Sequence, residues 1–189
     1  MRRRGSRRRA GSIARALALG CAAVLGLAGC GVGANSSPAS FPVSSIGPSA
    51  GVTGATAQTR GVIASALSSV AVQFGDATRP YRPPESSRLR DAPRAVYQVV
   101  LPDQPDGGFV LVYELTDAAA AVDAGNEEAG FLGTGPARVN FPRDAQHVLR
   151  QVGPTLILFS WSPSDPDAAA EGSVASALGT IGIGFTVPN

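Results

Sequence analysis

Two stretches of this chain carry the same succession of signals, and that succession restricts the fold more than any single residue does. Residues 95–101 and 109–115 read as strands around Asp106-Gly107, a pair that favours a tight hairpin turn. Residues 146–152 and 155–161 repeat the pattern around Gly153-Pro154. Each hairpin is followed by Asp-Ala-Ala-Ala, at 117–120 and 167–170, and then by an alanine-rich helical stretch. A duplication explains the repeat; so do alanine-rich composition and shared capping chemistry.

The helices follow from apolar spacing. Ile63, Leu67, Val70 and Phe74 fall on one face of a helix predicted over Ala55–Phe74, widened by Val62 and Ala66 and stopped by Gly75. Thr116 is expected to cap a second helix ending at Leu132 before Gly133, with Asp117 at its positive end. Its inner face would be Ala118, Ala121, Val122, Gly125 and Ala129, all slim enough for close approach to a sheet. Ser164 or Asp165 is expected to cap a third helix, with Pro166 in the first turn. Val174, Ala177, Leu178 and Ile181 mark its buried face. The segment Asp76–Pro93, with Pro80, Pro83, Pro84 and Pro93, fits neither a helix nor a central strand. The order α-ββα-ββα predicts an α+β fold: an antiparallel sheet of four or five strands with about three helices packed on one face. Residues 183–187 could supply an extra edge strand. On the strand at 109–115, Phe109, Leu111, Tyr113 and Leu115 share the face expected to meet the core.

The N-terminal thirty residues obey other rules. Arg2, Arg3, Arg4, Arg7, Arg8, Arg9 and Arg15 precede an apolar run from Ala16 to Gly29, too short for the roughly 20 residues of a membrane-spanning helix. The run ends Leu27-Ala28-Gly29-Cys30. This resembles the lipobox that closes a bacterial lipoprotein signal peptide. The resemblance covers residues 1–30 and implies removal of residues 1–29, with a diacylglycerol thioether and acyl chains such as palmitate on Cys30. One acyl chain holds a bilayer only marginally, whereas two or more hold firmly. The implied location is the outer face of the cell membrane, or the outer membrane in a host that has two. Ser6-Arg7-Arg8 lacks the bulky apolar pair of a twin-arginine signal, so plain secretion fits better.

Processing inverts the charge. The full chain has 16 basic and 14 acidic side chains, but seven of the arginines precede Cys30. Nine remain against 14 acids, a net of −5, which removes the support a basic chain would lend to a nucleic-acid partner. Cys21 leaves with the signal peptide and Cys30 is taken by lipid, so the mature chain must rest on a hydrophobic core rather than disulfides. Residues 30–54 carry the lipidated cysteine and a Gly/Ser/Pro-rich tether free of charge, and residues 55–189 form one domain.

No constellation of residues points to catalysis. His147 is the only histidine, and no Gly-x-Ser-x-Gly elbow accompanies it. One histidine and no spare cysteine speak against zinc or iron. Asp103 with Asp106, and Asp165 with Asp167, are too few for calcium. Gly130, Gly133 and Gly135 follow a helix rather than opening one, unlike a phosphate loop. Glu127 and Glu128 are expected to be solvated on the second helix. No catalytic residue, cofactor or metal is therefore expected.

Two candidate surfaces remain. Segment 76–94 holds five of the nine mature arginines. Arg79, Tyr81, Arg82, Arg88 and Arg90 form a candidate site for an anionic ligand or an acidic envelope protein, because guanidinium forks match phosphate and carboxylate. The alternative is a wrapping loop whose arginines pair with the domain's own acids. Phe109, Tyr113, Phe159, Trp161 and the loop residue Phe141 would line an apolar groove if one sheet face were bare; otherwise they are core. The sequence thus suggests a membrane-anchored, non-enzymatic binding or envelope-support domain, with a carrier of lipid or another apolar molecule as the alternative. An enzyme built around His147 or a carboxylate is the least favoured reading.

Overall fold

The computed structural model describes residues 53–188. The expected signal peptide, the expected lipidation site at Cys30 and most of the expected tether lie outside the described residues.

The elements run α1 (Gly54–Leu67), β1 (Gln73–Asp76), α2 (Ser87–Arg90), β2 (Arg94–Val100), β3 (Gly108–Glu114), α3 (Ala118–Leu132), α4 (Gly135–Arg138), β4 (Gln146–Val152), β5 (Thr155–Trp161), α5 (Ala168–Leu178) and β6 (Ile183–Phe185). Six strands form one sheet in the order β1-β2-β3-β5-β4-β6, antiparallel throughout. The α+β class and the antiparallel sheet agree with the sequence. Among the described residues the count is larger, with six strands and five helices, because β1 and two single-turn helices come from segments given no strand or separate helix.

The helices cover both faces of the sheet, which corrects the one-face expectation. Ile63 and Leu67 of α1 and Val174 and Leu178 of α5 pack with Tyr97, Val110, Val112, Ile157 and Phe159. On the opposite face, Leu89 of α2, Ala124, Ala129 and Leu132 of α3 and Ala137 of α4 pack with Leu111, Tyr113, Leu149, Leu156 and Leu158. The physical reason lies in the central pair. Residues 109–113 and 156–159 are unbroken apolar runs, and strands buried on both faces read that way rather than as alternation. Tyr113 and Phe159 are consequently core, enclosed from both sides.

Two further corrections concern α1 and the repeat. The helix predicted to Phe74 stops at Leu67; the hydroxyls of Ser68 and Ser69 turn back to the carbonyls of Ser65 and Ala66, a local competition with helix continuation. Phe74 instead lies on the edge strand β1, 5.4 Å from the Tyr97 ring, and Gly75 pairs with Gln98 rather than ending a helix. As for the repeat, a two-fold axis normal to the sheet between β3 and β5 would exchange the two hairpins and leave both following helices on one face. They lie on opposite faces. Asp117 caps α3 by accepting from the Ala120 N–H at 2.8 Å, taking the role expected of Thr116. Asp167 precedes α5 but accepts from the Asp103 and Gln104 N–H groups, tying the β2–β3 turn to that helix. The same tetrapeptide thus does different work in the two places.

Glu171, in the first turn of α5, is buried beside Asp165 and Asp167, and one of its oxygens has no partner among the described residues. Burial, reinforced by the two aspartates, raises its pKa to about 7. That lies above the roughly 4.3 of an unfolded glutamate. The folded state therefore protonates first, and the associated stability is intact at low pH and lost as pH rises towards 7. Glu171→Gln is expected to raise the melting temperature at pH 8, by a stabilisation on the order of 1–3 kcal/mol, and to leave it unchanged at pH 4. Calorimetry at the two pH values checks this; equal shifts at both would contradict it.

Candidate functional site

Segment 76–94 runs along β3 on the face covered by α3, from Tyr81 stacked on Phe109 to Glu85 beside Tyr113, and most of its arginines are engaged within the domain. Arg79 donates to the Asp106 carbonyl at 2.6 Å, with its guanidinium 5.2 Å from the Phe109 ring centre. Tyr81 stacks on that ring at 4.2 Å with planes 7° apart. Arg88 pairs with Glu127 of α3 at 3.0 Å. Arg82 donates from Nε to Glu85 at 2.8 Å and from Nη2 to the Arg90 carbonyl at 2.8 Å. The Arg90 side chain is exposed, with no ion pair or hydrogen bond among the described residues. The structure brings Arg82 and Arg90 to one shallow groove, places Tyr81 beside Arg82, and leaves Arg79 and Arg88 elsewhere.

Glu85 holds this segment down. Its side chain is only 2 % exposed, and it accepts from Arg82, from Arg94 at 3.3 Å and from the Tyr113 hydroxyl at 2.8 Å. Burial and the adjacent Glu85 charge raise the Tyr113 phenol far above its ordinary value, so it remains a donor. Glu128, expected to be solvated, is completely buried on α3. One carboxylate oxygen accepts from the Ser86 N–H at 2.8 Å, while the other has no partner among the described residues, and burial raises its pKa. An acid of that kind favours the neutral form, which removes most of the penalty of an unpaired buried charge.

The site that sequence reading missed is built on the segment between α4 and β4. Phe141, Pro142 and Ala145 line two adjoining open grooves and form the wall between them. The first, about 550 Å³, has Tyr81, Arg82, Ser160 and Trp161 on its other sides. The second, about 1000 Å³, runs between this segment and the C-terminal residues 185–188 and contains His147, Arg138 and Arg143. Hairpin register places His147 opposite Ser160, and Nδ1 meets the serine hydroxyl at 2.8 Å. The ring also packs edge-on against Phe141 at 4.9 Å, and burial lowers its pKa, so it is neutral at pH 7. No carboxylate hydrogen-bonds His147 among the described residues, so the Ser160–His147 pair lacks the orienting acid of a hydrolytic triad. Val139, next to Arg138 in this segment, is 82 % exposed.

The signal for this site was present as Arg138-Val139-Asn140-Phe141-Pro142-Arg143, an apolar centre between two cations with no acid inside. Of these only Phe141 stood out in the sequence, as an aromatic residue in a connecting loop. Among the described residues, no three His, Cys, Asp or Glu side chains are grouped to hold a metal, and no helix is long and apolar enough to cross a membrane. Protein families, curated proteins and solved structures offer no match to this chain.

Proposed function

We propose that this protein is a lipid-anchored, non-enzymatic binding domain on the outer face of a bacterial membrane, and that it engages its ligand at the paired grooves beside Phe141. The observation that carries this reading is the groove pair itself. Two concave surfaces of about 550 and 1000 Å³ share one wall at the end of the sheet, within or near the 300–1,000 Å³ of ordinary ligand sites. The lipobox-like segment ending at Cys30 supports the membrane address.

The carrier alternative survives in altered form. Helices on both faces close off the sheet surface around Tyr113 and Phe159 to an apolar ligand, since both are enclosed. What supports a carrier is instead the second groove, where Phe141, Phe185 and Val187 provide apolar walls.

A photo-cross-linking amino acid at Asn140, exposed on the first groove, tests the reading in living cells against the same group at Ser173, exposed on α5. A discrete adduct from position 140 and none from 173 is expected. Equal labelling from both positions, or none above an anchored control, would remove the groove as the binding site.

A further inference from the structure

The nine arginines of the described domain divide into two groups. Arg60, Arg82, Arg88 and Arg94 face acidic side chains, and Arg79 and Arg150 donate to backbone carbonyls. Arg90, Arg138 and Arg143 have neither kind of partner among the described residues, in a domain whose net charge is −5. All three border the grooves around the α4–β4 segment, and Arg138 and Arg143 line the same one. Two such cations in one concavity of an otherwise acidic domain create a local field that attracts anions.

That groove is also amphipathic, with apolar walls running from Phe141 to the C-terminal tail. We propose that it binds an anionic amphiphile, the phosphoryl head held by Arg138 and Arg143 beside His147 and the apolar chain laid along Phe141, Phe185 and Val187. This assignment rests on the binding-domain reading above and names the class of its ligand.

The chemistry favours phosphate over carboxylate. Two guanidinium forks and an imidazole offer more donors than the two oxygens of a carboxylate use well, whereas a phosphomonoester presents three oxygens at tetrahedral angles. When the neutral His147 ring accepts the Ser160 proton at Nδ1, its Nε2 carries the ring hydrogen and is a donor. Asp144 is the one acidic side chain lining this groove among the described residues, and its carboxylate is occupied by the hydroxyls of Ser162, at 2.8 Å, and Ser164. Among the described side chains, two cations against one engaged anion give the groove a positive balance. Groove volume, about 1000 Å³, accommodates a head and a chain of eight or more carbons by the ordinary scale of ligand sites, roughly 300–1,000 Å³.

His147 is the only histidine, so its imidazole resonances report on this groove without ambiguity. The mature lipoprotein in phosphatidylcholine nanodiscs is titrated with octyl phosphate below its micellar concentration, and separately with inorganic phosphate and octyl glucoside. Octyl phosphate is expected to shift the His147 signals saturably. Inorganic phosphate should bind at least tenfold more weakly, and octyl glucoside should produce no saturable shift. Arg138→Gln combined with Arg143→Gln should weaken octyl phosphate at least tenfold; Arg143→Glu alone supplies a second variant at an exposed position.

Equal affinity for inorganic phosphate would overturn the apolar half of the assignment, and saturable binding of octyl glucoside would overturn the anionic half. Absence of any His147 response, or a response unaffected by both arginine variants, would overturn the whole. Adsorption to anionic phosphatidylglycerol vesicles without binding of monomeric octyl phosphate would count the same way. If the adduct from position 140 forms in cells while octyl phosphate fails, the ligand class is wrong and the binding domain stands. If neither is seen, both readings fall.

Discussion

Replacing Glu85 with leucine is expected to destabilise the domain by about 3–5 kcal/mol, the usual consequence of removing one partner from a buried ion pair. Glu85 gathers Arg82, Arg94 and the Tyr113 hydroxyl around one carboxylate that is 2 % exposed. Without it, Tyr113 keeps a phenol in a core position with no acceptor, and Arg94, itself three-quarters covered, keeps a charge with no counter-ion. Leucine fills much of the volume but answers none of the donors. Glu85→Gln, which retains one acceptor oxygen, should lose less. Arg88→Gln is the useful contrast, because its pair with Glu127 is 47 and 33 % exposed, where about 0–1 kcal/mol is normal. Urea denaturation monitored by Trp161 fluorescence checks the order. A Glu85→Leu loss no larger than that of Arg88→Gln would show that the carboxylate does not anchor the segment. The effect also reaches the site, since Arg82 is held beside the first groove by this carboxylate.

The second large effect is at the turn that returns the chain from α5 to β6. Gly182 has φ +54°, and a Cβ there would stand 1.9 Å from the Gln151 carbonyl oxygen. Gly182→Ala therefore combines a left-handed backbone, at about 1–2 kcal/mol, with a collision against main chain that no side-chain rotation relieves. A loss on the order of 3 kcal/mol is expected, with β6 peeled from β4. Gly153 provides the control: its φ is +56°, but nothing lies within 4 Å of its would-be Cβ. Gly153→Ala should cost only the backbone term, about 1–2 kcal/mol. Hydrogen exchange at Leu149 and Gln151, which face β6, distinguishes the two: protection there should fall in Gly182→Ala and persist in Gly153→Ala. Equal loss in both variants would contradict the steric account. Because residues 185–188 wall the second groove, loosening β6 should also disturb that groove.

These two positions show where sequence reading succeeds and where it stops. The hairpin of β4 and β5 was legible to the residue, because Gly153-Pro154 fixes the turn and apolar residues define both arms. The edge strand at 183 was legible for the same local reason. The end of α1 was not: its apolar spacing continues to Phe74, while the serine hydroxyls and the pull of Tyr97 on Phe74 end the helix earlier. Helices on both faces follow from every residue from 109 to 113 being apolar, a run in which the alternation of Phe109, Leu111 and Tyr113 with Val110 and Val112 does not distinguish a buried face from an exposed one. The candidate arginines were legible as a cluster, but their partners were not. Arg88 finds Glu127 across 39 residues, and the Ser86 N–H finds Glu128 across 42, contacts that no local spacing announces. That Arg90, Arg138 and Arg143 lack partners among the described residues depends on the same long-range pairing and is invisible in local spacing.

Every inference about this domain's surroundings depends on cleavage before Cys30: the change of net charge from +2 to −5, the loss of both cysteines as thiols and the placement at a membrane. The intact mass of the protein extracted from cell membranes tests that dependence directly. The expected species begins at Cys30 and carries a diacylglycerol on its sulfur, and Cys30→Ser should abolish both the lipid mass and membrane retention. A membrane-extracted chain that still carries Arg2 to Arg15, or a product with a free thiol at Cys30, would contradict it.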